Sequence, residues 1–201
     1  LSKQRITCKT YVNPNEVEIK SFLRRIDNGV KSMFIDIADT IAEKSLNSKE
    51  DFAQLVDDIM YQERNIDKIV RLLRRVIKER LYKQQTGKQE DHLSLLAYWE
   101  LTNNLETISN NMELITKLVH NIDHAQKQKL RQKLQAFRSL LDKAMNAYYT
   151  SNTGKAHDNA QDITGLCAEL HNDILKKGCA PCTIRAQDTL NAISNINRLT
   201  Y

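Results

Sequence analysis

The sequence predicts an all-α protein made of two antiparallel three-helix bundles. Three observations carry that prediction. Apolar residues recur at spacings of three and four along nearly the whole chain, the period of an amphipathic helix. Five Gly and two Pro among 201 residues, with 27% charged residues, is the composition of long amphipathic helices. Finally, LETISNNMEL (105–114) has an echo in LNAISNINRL (190–199), with Leu105/Leu190, Ile108/Ile193, Ser109/Ser194, Asn110/Asn195 and Leu114/Leu199 in register. Two copies about 85 positions apart mark a duplicated helical unit.

The elements follow in order. Residues 1–13 lack a helical period; Ile6, Cys8, Thr10 and Val12 alternate with polar neighbours, as in a short strand or the tail of an upstream domain. The chain opens on Leu1 rather than Met, which leaves room for upstream sequence. Asn13-Pro14 predicts a cap and first helical position, opening a helix over 14–45. Its stripe is Val17, Phe22, Leu23, Ile26, Val30, Met33, Phe34, Ile37 and Ile41. Asn47-Ser48 caps a second helix over 49–84, with Glu50 and Asp51 in the first turn, where the helix dipole favours acids. That helix buries Leu55, Ile59, Ile66, Ile69, Leu73, Val76, Ile77 and Leu81. Another of its faces carries Arg71, Arg74, Arg75 and Lys78. Such a face is either a solvated surface or a docking site for an acidic partner or an anionic surface.

A connector around Gly87 leads to a third helix ending near 120, with Trp99 at an interhelical contact. This helix mixes Leu101, Leu105, Ile108, Met112 and Ile115 with Asn103, Asn104, Glu106, Thr107, Ser109, Asn110 and Asn111. Either it is partly solvated or it places polar groups at a helix seam. Asp123 caps the fourth helix, which runs to about 150 on Leu130, Leu134, Phe137, Leu140, Leu141 and Met145. Ser151-Asn152-Thr153-Gly154 is a turn. A fifth helix takes 155–177 and stops at Gly178; a sixth starts near Thr183, after Pro181. The predicted organisation is an extension (1–13), a first bundle (14–120) and a second bundle (121–201).

Several function classes find no support. No apolar run reaches the roughly 18 residues of a membrane span, and no secretory leader is visible. Membrane insertion is not expected, and a cytoplasmic location is. Four cysteines without such a leader point to thiols in a reducing compartment. A net charge of +5 spread along the chain is too mild to mark a nucleic-acid binder. There is no phosphate-binding Gly-rich loop, no nucleophile elbow and no His-Glu-x-x-His, so no catalytic centre is expected. Cys179-Ala-Pro-Cys182 sits in the turn between the fifth and sixth helices; with Cys8 and Cys167 as the only other cysteines, the default reading is a local turn with two reduced thiols or a disulfide acquired in air.

Three stretches carry a resemblance to a known family. NPNEVEIKSFLRRIDNGVKSMFID (13–36) is similar to the first helix of archaeal PhoU proteins that carry an upstream AbrB-like DNA-binding domain. ERNIDKIVRLLRRVI (63–77) looks like the second helix of the PhoU family, and LETISNNMELI (105–115) like its signature third helix, usually close to LERIGDHAVNI. The likeness covers most of 13–120 and is weaker over 121–201. It implies a regulator of phosphate uptake or phosphate-responsive transcription. Its implied partners are phosphate transporters or phosphate-response regulatory proteins, with DNA met only through an upstream AbrB-like domain. A homodimer is expected on separate grounds, because paired bundles with spare apolar stripe often dimerise.

The resemblance also implies where metal would sit. In PhoU proteins, acids four apart on adjacent helices hold iron or zinc clusters, because residues four apart share one helix face. Glu63 and Asp67 match the second-helix pair and Glu106 the first acid of the third-helix pair, whose second position is Asn110. In the second half, Asp158 and Asp162 have the spacing, and their implied partners are Asn191 and Asn195. An amide offers a carbonyl oxygen and no charge, which weakens a cation site. The functional expectation is therefore a non-enzymatic regulator acting through protein contacts. The alternative is a metal-binding helical protein, or a scaffold that has lost its metal sites.

Overall fold

The computed structural model describes residues 16–42, 49–83, 91–175 and 180–200. These form six helices: α1 (Ile19–Ala42), α2 (Lys49–Lys83), α3 (His92–Val119), α4 (His124–Thr150), α5 (Thr153–Leu175) and α6 (Ala180–Arg198). No strand occurs among the described residues. The expected strand at the start, the Asn13-Pro14 and Asn47-Ser48 caps, the Gly87 connector and the stop at Gly178 lie outside the described residues.

Three starts differ from expectation. The fifth helix begins at Thr153 rather than 155, which takes Thr153 and Gly154 out of the expected turn and into the helix. The first helix begins at Ile19 rather than 14, with Glu18 as its cap: the Glu18 carbonyl accepts from the amides of Ser21 and Phe22. A tertiary contact accounts for the delay. Arg80, from the far end of α2, donates from Nη2 to the carbonyl of Val17 at 2.6 Å, and Val17 is buried in the non-helical stretch ahead of the helix. The sixth helix begins at Ala180, which puts Pro181 inside its first turn, where a missing amide breaks no helical bond.

The other termini follow their local chemistry. Asp123 caps α4 in a capping box: its carboxylate accepts from the Gln126 amide at 2.8 Å, and the Gln126 side chain returns a bond to the Asp123 amide at 3.1 Å. Asp91 caps α3 by accepting from the Leu93 amide. Between α4 and α5, Ser151 adopts a left-handed conformation with φ 49°, and Asn152 then accepts from the Lys155 amide to start α5.

Packing partners are set by the apolar stripes. α2 packs on α1 and α3, and α5 packs on α4 and α6; α1 also meets α3, and α4 meets α6. The two halves join through α3 on α6 and α1 on α4. Cross-helix bonds give the directions. From Gly29 near Ile66 to Asp36 bonded by Gln62, numbers rise on α1 while they fall on α2, so the two run antiparallel. The pairs Lys31–Asp142 and Arg24–Tyr149 say the same of α1 and α4. α1 and α2 approach closely at Gly29: a Cβ there would lie 3.2 Å from the Ile66 side chain.

One continuous core runs through both halves. Every apolar residue expected in α4 is buried, as are Leu101, Leu105, Ile108, Met112 and Ile115 of α3. In α1 and α2, Phe22, Ile69 and Leu81 are only half-buried, while Val70 takes a fully buried place that the sequence reading omitted. The polar residues of α3 divide between a buried seam and a solvated edge, where Thr107 and Asn110 are exposed. Thr102, Asn104, Ser109, Asn111 and Thr116 are all buried. Thr102 and Thr116 donate to carbonyls four residues back, and Asn104 donates to Glu100 O. These three satisfy themselves on their own helix while letting neighbouring backbones approach, whereas Ser109 donates across to Met33 Sδ of α1 at 3.5 Å. A second buried polar link holds the other half: Asn159 donates to Leu140 O and to Asn197 Oδ1, and Asn197 donates to Ala156 O at 2.7 Å.

Candidate functional site

Of the charged residues singled out by sequence, those of the first half lie on or beside the α2–α3 contact, and Asp158 and Asp162 lie on α5. α2 presents Glu63, Asp67, Arg71 and Arg74, spaced three or four apart and hence on one side of the helix. α3 presents Trp99, Asn103, Glu106, Asn110 and Glu113 at the same spacing.

At the centre is Arg74. Its Nη1 donates to Glu106 Oε1 at 2.9 Å, and its Nη2 closes a second bond to Glu106 Oε2. Nε and Nη2 both donate to Asn103 Oδ1, at 3.1 and 2.7 Å. The guanidinium lies 5.9 Å from the centre of the Trp99 ring, and the Lys78 ammonium lies 5.4 Å from it. This is the planar two-pronged recognition for which Arg is suited, backed by a cation–π contact. Trp99 sits at the interhelical contact expected of it, half-buried against the core.

That register decides the neighbours of the other acids. α2 and α3 run antiparallel, so with Arg74 opposite Asn103 and Glu106, Glu63 falls near the later turn that carries Glu113. The Glu63 carboxyl is held above its ordinary value, first by burial and then by the charges of Glu113 and Asp67, against the pull of Arg64 and Arg71. Asp67 is paired with Arg71 on its own helix, and Glu113 with Lys117 at 2.7 Å. Thus the acid that influences Glu63 from α3 is Glu113, which the sequence reading did not name. The signal was present: Glu106 and Glu113 are two turns apart on one face, and only the helix register selects between them.

Asn110 is exposed. In the second half, Asp158 is exposed, and Asp162 is held by Lys143 of α4 at 2.6 Å. Asn191 accepts from Gln187 on its own helix. Asn195 turns to the other half and donates to Asn104 Oδ1 across the α3–α6 seam at 3.4 Å. Among the described residues, no three His, Cys, Asp or Glu side chains are grouped so as to hold a metal ion. The carboxylates that a cluster would need at Glu106 and Asp162 have cations as partners. Cys182 is buried and Cys167 accepts a long bond from Gln187; Cys8 and Cys179 lie outside the described residues.

The expected basic face is split by its contacts. Arg71, Arg75 and Lys78 are exposed, whereas Arg74 is engaged between the helices with about a third of its side chain accessible. No described helix is long and apolar enough to cross a membrane. No protein-family model matches the chain, and no curated protein matches it either.

Proposed function

We propose that the chain is a PhoU-like, non-enzymatic regulator of phosphate uptake or phosphate-responsive transcription that works by binding other proteins, and that its six helices are two copies of one three-helix unit. The observation that carries this reading is where the internal echo falls. LETISNNMEL lies on α3 and LNAISNINRL on α6, and these two helices pack on each other. Equivalent helices of the two halves also meet elsewhere, α1 on α4, while α2 and α5 stay on the outside of their own halves. A duplicated unit joined by its first and third helices has this pattern of contacts.

The chemistry along α2 and α3 favours a binding role. The polar groups there are spent on one another, as in Arg74 with Glu106 and Asn103, and they hold the helices in register. The outer sides of α2 and α5 remain open for partners. The test is direct binding of the purified chain to the ATPase subunit of a phosphate ABC transporter and to the cytoplasmic part of a phosphate-responsive histidine kinase. Binding to either with a dissociation constant of about 1 μM or tighter supports the reading. Absence of binding to both, at protein concentrations far above that, overturns it.

The alternative, a helical metal-binding protein, draws on one observation: the Glu63 carboxyl feels the negative charges of Glu113 and Asp67. It requires Asp67 to give up Arg71 and Glu113 to give up Lys117, and the three to close on one point. Native mass spectrometry of protein purified without chelator decides it: stoichiometric iron or zinc that is lost in Glu63→Ala would favour the alternative.

A further inference from the structure

The outward side of α2 carries a single-file exposed stripe whose charge changes sign along its length. Starting at Glu50, exposed positions follow one another at alternating steps of four and three through Gln54, Asp57 and Tyr61. The same alternation continues through Arg64, Lys68, Arg71, Arg75 and Lys78 to Tyr82. The first part is acidic and the second basic. Tyr61, where the sign changes, is 63% exposed, and Tyr82 at the end is 77% exposed. A mean step of 3.5 residues keeps these positions in line along one side of the helix, so a second helix lying at a shallow angle would meet all of them. α1 and α3 pack on the other sides of α2, and among the described residues no further helix packs on it to a comparable extent.

The charges on the stripe are accessible. The Arg71 side chain is 75% exposed although it touches Asp67, and Lys68 and Arg64 bond only to Asn65 and to the Met60 carbonyl of the same helix. At the acidic end, an open concavity of about 720 Å³ between α1 and α2 adds Asp36, Asp39 and Asp58 to the negative field.

We propose that this stripe is a self-pairing surface, on which α2 of one copy lies antiparallel to α2 of a second copy about a two-fold axis near Tyr61. The argument is charge complementarity. An antiparallel pairing whose two-fold axis passes between positions 60 and 61 sets Asp57 opposite the partner's Arg64 and Glu50 opposite the partner's Arg71. It brings Gln54 within one position of the partner's Lys68. Each opposite-charge pair occurs twice by symmetry. From Glu50 to Arg71 the contact runs about 32 Å at 1.5 Å per residue. A parallel pairing would instead set acids on acids and cations on cations, which the sign change forbids. A phosphate-bearing surface is the poorer fit, because the acidic third of the stripe and the adjoining concavity would repel it. The pairing is independent of the phosphate-regulator reading, since it uses neither a transporter nor a kinase.

Exposed ion pairs contribute little each and are screened by salt, so the dimer should be weak and salt-sensitive. Sedimentation velocity of the full chain at low and high salt is the first measurement: dimer at low salt and monomer at high salt is expected. Charge variants then identify the surface. Arg64→Glu/Arg71→Glu and Glu50→Lys/Asp57→Lys should each be monomeric alone, yet associate one-to-one when mixed, because mixing restores opposite charges on both sides of the axis. All these positions are exposed, so a far-ultraviolet circular dichroism spectrum and melting temperature close to those of the parent will show that the variants fold. A chain that stays monomeric at low salt and high concentration overturns the proposal. So does a dimer that survives both charge reversals, or a pair of variants that fails to associate on mixing. Retention by an acidic protein or anionic vesicles, without self-association, overturns it as well.

Discussion

Arg74 of α2 grips Glu106 of α3 with two donors and reaches Asn103 with the same guanidinium. Because the fork fits one carboxylate one turn from one amide, it fixes the register of the two helices as well as adding stability. The Glu106 side chain is 18% exposed and the Arg74 side chain 31%, so water relieves only part of the cost of losing either partner. Arg74→Ala should cost about 2 kcal/mol, since it leaves a shielded carboxylate without its donor. Urea unfolding of Arg74→Ala, Glu106→Gln and the double variant should give a coupling of about 1–2 kcal/mol. Additive losses would mean that the two side chains do not act as a unit.

Glu63 should respond to pH in the opposite way to a salt-bridged acid. Its folded-state carboxyl sits above the ordinary value of 4.5, through burial and the charges of Glu113 and Asp67. The ionised form is therefore disfavoured by folding. Below pH 4.5 the group is protonated in both states and contributes nothing; as pH rises through the raised folded value its cost appears in full. Glu63→Gln should raise the melting temperature at neutral pH, and the gain should vanish below the ordinary carboxylate range. A lower melting temperature at neutral pH would show that the Glu63 charge has a stabilising partner.

Ser151 holds a left-handed conformation at the end of α4. Its amide bonds to the Ala147 and Tyr148 carbonyls, so the backbone, and not the side chain, makes the cap. A Cβ is a steric burden there, and Ser151→Gly should stabilise the protein by about 0.5–1 kcal/mol. Thermal melting of this variant beside Ser151→Ala checks it. A loss with Gly would mean that the hydroxyl matters more than the strain.

Leu105 and Leu93 share α3 yet should differ widely. Leu105 is fully buried where α3 meets its neighbours, and Leu93 is 73% exposed in the first turn. Leu105→Ala should cost about 2–5 kcal/mol, including the cavity left behind. Leu93→Ala should change stability by no more than about 0.5 kcal/mol. Chemical denaturation of the pair measures the contrast; equal effects would place Leu93 in an interface.

Legible in the residues alone were the six helices, most of their buried stripes, the Asp123 cap and the break at Ser151-Asn152. These depend on local chemistry: a 3.6-residue apolar period, a short polar side chain beside free amides, and the scarcity of Gly and Pro. The sequence also placed Trp99 at a helix contact. What it did not determine was anything set by register. Whether Glu106 would face Glu63 or Arg74, whether Glu113 would join Glu63, and whether Asn195 would look toward α5 or across to Asn104 depend on how far one helix slides along another. Each candidate on a face is separated from the next by a turn of about 5.4 Å, and the periodic pattern is unchanged by such a shift. The start of α1 is of the same kind, because Arg80, 63 positions away, holds Val17 outside the helix. Only packing chooses among these registers, because the summed fit of many side chains, and not any single residue, is what differs between them.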